Sequence, residues 1–580
     1  MKKEKRNIRA KHISGFILTL LIIIAVNIIS SRVYTRFDLT SEKRYTLSDA
    51  TKELLHNLDD IVYFKVYLDG DFPAGFKRLR RETKELLDEF RAYNKNIQYE
   101  FINPSESEDA EERNATYQLL IQQGLQPTNL QVKTKNGLEQ QVIFPGAIVS
   151  YRNREMPVEL LDAQMGVPPE AVLNNSIENL EFKFANAIHK LTQKVKPKLA
   201  FIEGHGELDK KETYDITRAL QEDYVVERVR IDGQVNALVN RSLADSVTGE
   251  YSIVPKFAAI IIAKPDSAFS SKDKFIIDQY IMYGGKVLWL IDPVLASMDS
   301  IQRSESTVAI ENDLKLQDQL FTYGVKLNAD LIMDLNAMPI PIRTGQIGNQ
   351  PQIDFFPWYY FPVITPISQH PIVRNLNAIK MQFVSSLDTV RNKNVRKTIL
   401  LQSSPYTRTV GVPAVISLSI MRQQPDERLY AGPPQPVCVL LEGVFESTFR
   451  NRVPPSLLDA KEIGFKDYSD KTSMIVVSDG DVIRNQFKIP EGYPLPLGYD
   501  QYTKETFGNK EFILNAINYL TDGPGLISIR SRELKLRLLD KTKINDNLLK
   551  WQLINLLIPV LVVLLAGILI VWLRKRKYAR

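Results

Sequence analysis

Apolar positions along this chain change their pattern several times. Near the two ends, Ile13 to Ser31 and Trp551 to Leu573 are uncharged runs of 19 and 23 residues, long enough to cross a hydrocarbon core of roughly 30 Å as helices. Inside them, residues 32–195 alternate in type. Strand patterns at Ile61–Leu68 and Ile97–Ile102 are each followed by a helical one, Phe76–Tyr93 and Glu108–Gln123. The first of these helices carries Phe76, Leu79, Leu86, Leu87, Phe90 and Tyr93 at helical spacing. Further strands at Leu130–Lys133, Gln141–Tyr151 and Met156–Leu161 and a helix around Ser176–Lys190 complete the segment. This order predicts a thioredoxin-like α/β domain that lacks the cysteines of a redox enzyme. Ser48 stands where an N-cap is needed, with Asp49 in the first turn behind it.

A break at Lys194-Val195-Lys196-Pro197 opens a second domain, residues 196–525. Its strands are short, wholly apolar runs of the kind buried on both faces of a parallel sheet: Leu199–Ile202, Ala258–Ala263, Val287–Ile291 and Met474–Val477. Helical patterns separate them, including Glu212–Glu222 and Lys272–Tyr283, the latter stopped by Gly284-Gly285. The expectation is a flavodoxin-like open sheet with an elaborated second half. From Leu335 to Pro366, six prolines are expected to break any regular element. The same stretch carries Phe355, Phe356, Trp358, Tyr359, Tyr360 and Phe361, which pack on their own domain or present a docking surface.

Charge turns the two apolar runs into a topology. Lys2, Lys3, Lys5, Arg6, Arg9 and Lys11 precede the first, and Arg574, Lys575, Arg576, Lys577 and Arg580 follow the second. Cytoplasmic flanks carry the Lys/Arg excess, so two transmembrane helices, 13–31 and 551–573, would place the tails 1–12 and 574–580 in the cytoplasm. Residues 32–550 would then be periplasmic, with 526–550 as a juxtamembrane segment. A cleaved signal peptide is the rival for the first run, but no small-x-small cleavage site follows Asn27-Ile28-Ile29-Ser30-Ser31.

The net charge of +6 belongs to those tails, since the central region is slightly acidic. Nucleic-acid binding, which needs a concentrated basic face, finds no support. The single cysteine, Cys438, excludes an internal disulfide, a CxxC pair and a multi-cysteine zinc site. No GxxxxGK[ST], GxSxG or HExxH is present. Asp479-Gly480-Asp481 lacks the remaining ligands of a calcium loop. No cofactor, metal or catalytic residue is predicted.

Each apolar strand of the second domain ends at a charge: Glu203, Lys264 and Asp292 directly, Asp479 one residue later. His205 lies in the turn after the first strand. Parallel strand ends share one edge, where open sheets bind ligands; plain strand termination accounts for the same pattern. Within the last apolar run, Gln552 and Asn555 are amides one helical turn apart, placed to pack on a partner helix.

Taken with Arg36-Phe37-Asp38-Leu39-Thr40 and Tyr45-Thr46-Leu47-Ser48, the stretches Phe201-Ile202-Glu203-Gly204-His205-Gly206-Glu207 and Gly284-Gly285-Lys286-Val287-Leu288-Trp289-Leu290-Ile291-Asp292-Pro293 resemble the GldG family. These are the membrane-anchored auxiliary subunits of the gliding-motility ABC transporter of Bacteroidetes. The likeness extends to Asn515-Ala516-Ile517-Asn518-Tyr519-Leu520-Thr521-Asp522 and the terminal apolar run. It implies a GIFT-type second domain, a bacterial inner-membrane location, and a complex with a separate permease subunit and a separate ATPase subunit. It carries over no catalytic residue. An anchored saccharide- or peptide-binding protein and an anchored hydrolase remain the alternatives.

Overall fold

The structure, a computed structural model, describes residues 15–27, 46–134, 137–162, 167–193, 195–245, 250–348, 350–422, 424–522, 525–531 and 547–578. It divides into two units, Met1–Arg44 with Glu533–Arg580, and Tyr45–Arg532. In the first unit, Leu548–Tyr578 is one apolar helix long enough to cross a membrane. The helix Gly15–Asn27 (α1) is apolar but shorter. The rest of the expected span 13–31, like the tail 1–12, lies outside the described residues.

The second unit is mixed α/β with several sheets. Its N-terminal part opens with α2 (Asp49–His56), whose N-cap Ser48 accepts the Thr51 N–H at 3.0 Å as its position predicts. Strands β1 (Val62–Val66) and β2 (Ile97–Phe101) run parallel, joined by α3 (Ala74–Tyr93). After α4 (Ala110–Gln122) comes the hairpin β3–β4 (Thr128–Thr134, Gly137–Ile143), then β5 (Gly146–Tyr151) and β6 (Arg154–Glu159). The sheet order is β2-β1-β5-β6, with β5 antiparallel to β1. The single strand expected over Gln141–Tyr151 is two strands. Pro145, which has no N–H to donate to a ladder, interrupts it. Helix α5 (Pro169–Thr192) lays Ile177, Leu180, Phe184, Ile188 and Leu191 into the core beneath this sheet. Another part of its surface receives Leu526 and Ile529, with Ala50 and Leu54 of α2 packed alongside.

The C-terminal part holds a seven-stranded sheet. Strands β7 (Lys198–Glu203), β8 (Val225–Arg230), β11 (Ala259–Ala263), β12 (Val287–Leu290) and β20 (Thr472–Val477) are parallel, in the spatial order β8-β7-β11-β12-β20. The hairpin β9–β10 (Val239–Asp245, Glu250–Pro255) stands apart from it. Two antiparallel strands, β19 (Pro436–Gly443) and β17 (Val395–Gln402), extend the β20 edge. Alternate side chains explain the unbroken apolar runs: Ile261, Leu288 and Ile475 enter one core, and Ile262, Trp289 and Val476 enter the other. Helices α6 (Tyr214–Gln221) and α10 (Asn509–Thr521) cover the first face, and α7 (Ser271–Met282) covers the second.

The segment between β12 and β20 carries β13 (Val294–Leu295), α8 (Met298–Ser304), β14 (Ser306–Glu311), α9 (Gln317–Tyr323) and a long hairpin, β15 (Ala337–Ile347) and β16 (Gln350–Ile364). This hairpin corrects the expectation that the prolines of Leu335–Pro366 forbid regular structure. Strand β15, with Pro339 and Pro341, is a sheet edge, and β16 pairs on its other side only at Val363 and Ile364, past Pro351, Pro357 and Pro362, so the missing N–H donors fall where no ladder needs them. Register shifts at Ala337/Pro339 and Arg343/Gly345 absorb the mismatch. Trp358, Tyr359, Tyr360 and Phe361 are buried within their own domain, whereas Phe355 is half exposed. Strand β18 (Ala414–Ser417) pairs with β14.

Candidate functional site

Because β7, β11, β12 and β20 are parallel, their C-terminal ends lie on one edge, and the residues that follow them project there. The five predicted residues nevertheless separate into three networks.

Lys264, Asp292 and Asp479 come together. Lys264 takes a left-handed conformation after β11, with φ of 53°, and its Nζ lies 3.0 Å from Asp292 Oδ2 and in direct contact with Asp481. Asp292 accepts the Gly480 N–H. Asp479 accepts the Gln382 N–H at 2.8 Å and the Asp481 N–H at 2.7 Å. Gly480 is required where it stands, since a Cβ there would meet Lys264 Cβ at 2.5 Å. Carboxylate oxygens of Asp292, Asp479 and Asp481 converge within 4.8 Å. A cation belongs at such a point, and the Lys264 ammonium occupies it. Burial opposes its charge, but Asp292 and Asp481 outweigh that and hold the ammonium above its ordinary pKa. With three carboxyls around one cation, burial first and the neighbouring Asp292 and Asp481 second push Asp479 well above the usual carboxylate range. The network locks three strand ends together.

His205 belongs to a second network. Its Nδ1 is 3.1 Å from Glu207 Oε1, its Nε2 is 3.3 Å from Asp273 Oδ2, and its ring stacks on Phe269 at 3.7 Å. Asp273 sits in the first turn of α7 and accepts the Gly233 N–H at 2.8 Å. Burial would lower the imidazole pKa, but the two carboxylates raise it. Gly206, at φ of +73°, lies so close to the Asp266 carboxylate that no Cβ fits. Glu203 forms a third network, pairing with Arg228 at 2.9 Å; Arg228 lies over the Phe201 ring and donates to the Leu208 carbonyl.

Asp481 was not among the residues the strand-end pattern singled out. It sits two residues beyond Asp479, in a triplet whose only visible signal was a fragment of a calcium loop. A cavity of about 1050 Å³ opens over this edge, reached by Lys264 and Asp481 and bordered also by Lys380, Arg484, Asn485 and Asp500. Glu203, His205, Asp292 and Asp479 do not line it. Gln552 and Asn555 belong to the other unit, both exposed on the C-terminal helix.

Residues 196–516 match the auxiliary-protein family described as an ABC-type uncharacterized transport system. Residues 41–150 match a domain of unknown function, DUF7088. No curated protein matches. A solved structure titled mmIFT52 N-terminal domain is similar at 12% identity over 56% of this chain and 98% of its own, with a TM-score of 0.29, too low to bear on the fold. The family match spans more than half of the 580 residues and starts at the break before β7. The chain belongs to the ABC_transp_aux family of auxiliary proteins of ABC transport systems.

Proposed function

We propose that this protein is the membrane-anchored, non-catalytic accessory subunit of an ABC transporter of the gliding-motility type, similar to GldG. It stands in the bacterial inner membrane on two helices, both termini cytoplasmic and residues 32–550 periplasmic. It works with a separate permease and a separate ATPase. The observation that carries this reading is the coincidence, in one chain, of the auxiliary-family match over residues 196–516 with a C-terminal spanning helix closed by Lys575, Arg576 and Lys577. Several features support the finer points. The order β2-β1-β5-β6 with parallel β1 and β2 suits a thioredoxin-like first domain. The order of the five parallel strands is that of flavodoxin-like sheets, numbered 2-1-3-4-5 along the chain, and suits a GIFT-type second domain. Lys264, which would have been the first candidate for catalysis, is bound to two carboxylates.

Affinity purification of the tagged full chain from native membranes tests this reading. A permease and an ATPase of the ABC class should be recovered in fixed ratio; their absence from a preparation that retains the intact chain would overturn it. A reporter active only in the periplasm should be silent when fused after Arg580. The purified chain should hydrolyse no ATP above a buffer control.

A further inference from the structure

The cavity over the sheet edge joins two surfaces of opposite character. One wall is strand: Leu295 and Ile310 are opposite each other in the β13–β14 register, and Val308 follows two residues back on the same face. These three aliphatic side chains are 42, 49 and 56% exposed, and all line the cavity. Large apolar side chains left in water inside a concavity mark a surface shaped for an apolar occupant. Met338, Ile340 and Ile342 of β15 line the same cavity, the first two nearly buried.

The floor is polar but already charge-matched. Lys264 is held by Asp481 and Asp292, Lys380 lies 3.4 Å from Asp500, and Arg484 lies 2.8 Å from Glu212. Four basic and four acidic side chains line the cavity as a whole. An ionic head group on this floor would have to displace one of these pairs. Among them sits Asn485, only 3% exposed, with neither its Nδ2 nor its Oδ1 hydrogen-bonded. A buried amide left without partners costs on the order of 1–3 kcal/mol per group. It offers one donor face and one acceptor face, the complement of a hydroxyl or another amide rather than of an ion.

We propose that this cavity binds an uncharged amphiphile, its hydroxyl- or amide-bearing head on the floor at Asn485 and its hydrocarbon chain along the wall of Leu295, Val308 and Ile310. The proposal rests on the cavity alone and is independent of the transporter reading, so either can fail without the other.

The test is photolabelling of the full chain in lipid nanodiscs by a monoacylglycerol carrying a diazirine in its acyl chain, with the labelled positions mapped by mass spectrometry. Label is expected within 295–310 and 338–342. It should fall about tenfold in Val308→Asp, which sets a charge against the chain. Asn485→Leu should cause a similar fall while leaving thermal stability equal or higher, since it removes an unpaired amide. Label within 548–578 should persist in both variants and serves as the control for lipid access. Label confined to 548–578, or wall labelling indifferent to both substitutions, would overturn the proposal. So would equal wall labelling by a fatty acid with the same photoreactive chain, or displacement of the label by an apolar tripeptide amide but not by unlabelled monoacylglycerol.

Discussion

Arg374 Nη2 lies 2.8 Å from Glu178 Oε2, with both side chains nearly enclosed where α5 of the N-terminal part meets the turn that follows β16. A second ion pair, Lys190 to Asp223 at 2.5 Å, crosses the same seam. Both acidic-basic pairs use residues of α5, the helix that also receives α2 and the Leu526–Ser531 turn. The two halves of the second unit are thus fastened through one helix.

Replacing Glu178 with alanine removes the carboxylate opposite an enclosed guanidinium, a change that costs about 3 kcal/mol or more when such pairs are broken from one side. Denaturant unfolding should show the loss. The wild type should unfold the unit Tyr45–Arg532 in one transition and the variant in two, as the halves uncouple. A single, unshifted transition in Glu178→Ala would show that the pair contributes nothing to the seam.

Lys264 bridges Asp292 and Asp481, while Arg484 reaches the cluster only through Asp481, at 3.4 Å. Lys264→Met should destabilise by about 3–5 kcal/mol at neutral pH, because it leaves the buried Asp292 without its cation. The sign of the pH effect follows from Asp292 and Asp479, whose folded pKa values lie above the unfolded one. Such carboxyls favour the fold while protonated and disfavour it once pH rises past their unfolded value. Without Lys264 the shift grows, so the variant's deficit should be smaller at pH 5 than at pH 8. A deficit independent of pH would mean that the lost lysine acts through packing.

His205 behaves with the opposite charge. Glu207 and Asp273 hold its imidazole pKa above the ordinary value, so its contribution is fully present below about pH 6.5 and fades as pH rises through the folded value. Comparing unfolding midpoints of the wild type and His205→Gln, the difference should be larger at pH 5.5 than at pH 8.5. Equal differences at the two values would mean that stacking on Phe269, and not the imidazolium, accounts for the residue.

Cys438 is fully buried on β19, and burial pushes its thiol far up. Thiol reagents should leave the native chain unlabelled and modify one cysteine only after denaturation. Native-state labelling at the denatured rate would place β19 outside the sheet.

The doubly buried strands were legible because their apolar runs are short and bounded, and the charge after each run marked the shared edge. What the charges do there was not legible. Glu203 turns to Arg228, 25 residues on, and His205 to Asp273, 68 residues on; no local spacing encodes either partner. The cavity wall escaped for a related reason, since Leu295 and Ile310 become neighbours only through a strand pairing inside the insertion. The proline-rich hairpin was not legible because proline is tolerated wherever a strand has no ladder on one side, and a sequence does not say that β15 will be an edge or that β16 will pair on its second side only at Val363 and Ile364.

On the C-terminal helix, Gln552 and Asn555 are exposed amides in an otherwise apolar helix, one turn apart and near the end opposite the basic cluster. An amide facing lipid lacks the hydrogen bonds it had in water, and contact with a polar group on a neighbouring helix restores them, at about 0.6–2 kcal/mol each. Gln552, beside Trp551, is close enough to the headgroup region to be satisfied by water. Asn555, one turn deeper, has less access to it. If this face packs on a permease helix, replacing both residues with leucine should leave membrane insertion intact, because leucine partitions more favourably, while lowering recovery of the permease in co-purification severalfold. Leucine at Gln552 alone should have the weaker effect. Unchanged recovery in the double variant would refute packing through this face and leave the unit Tyr45–Arg532 as the site of attachment.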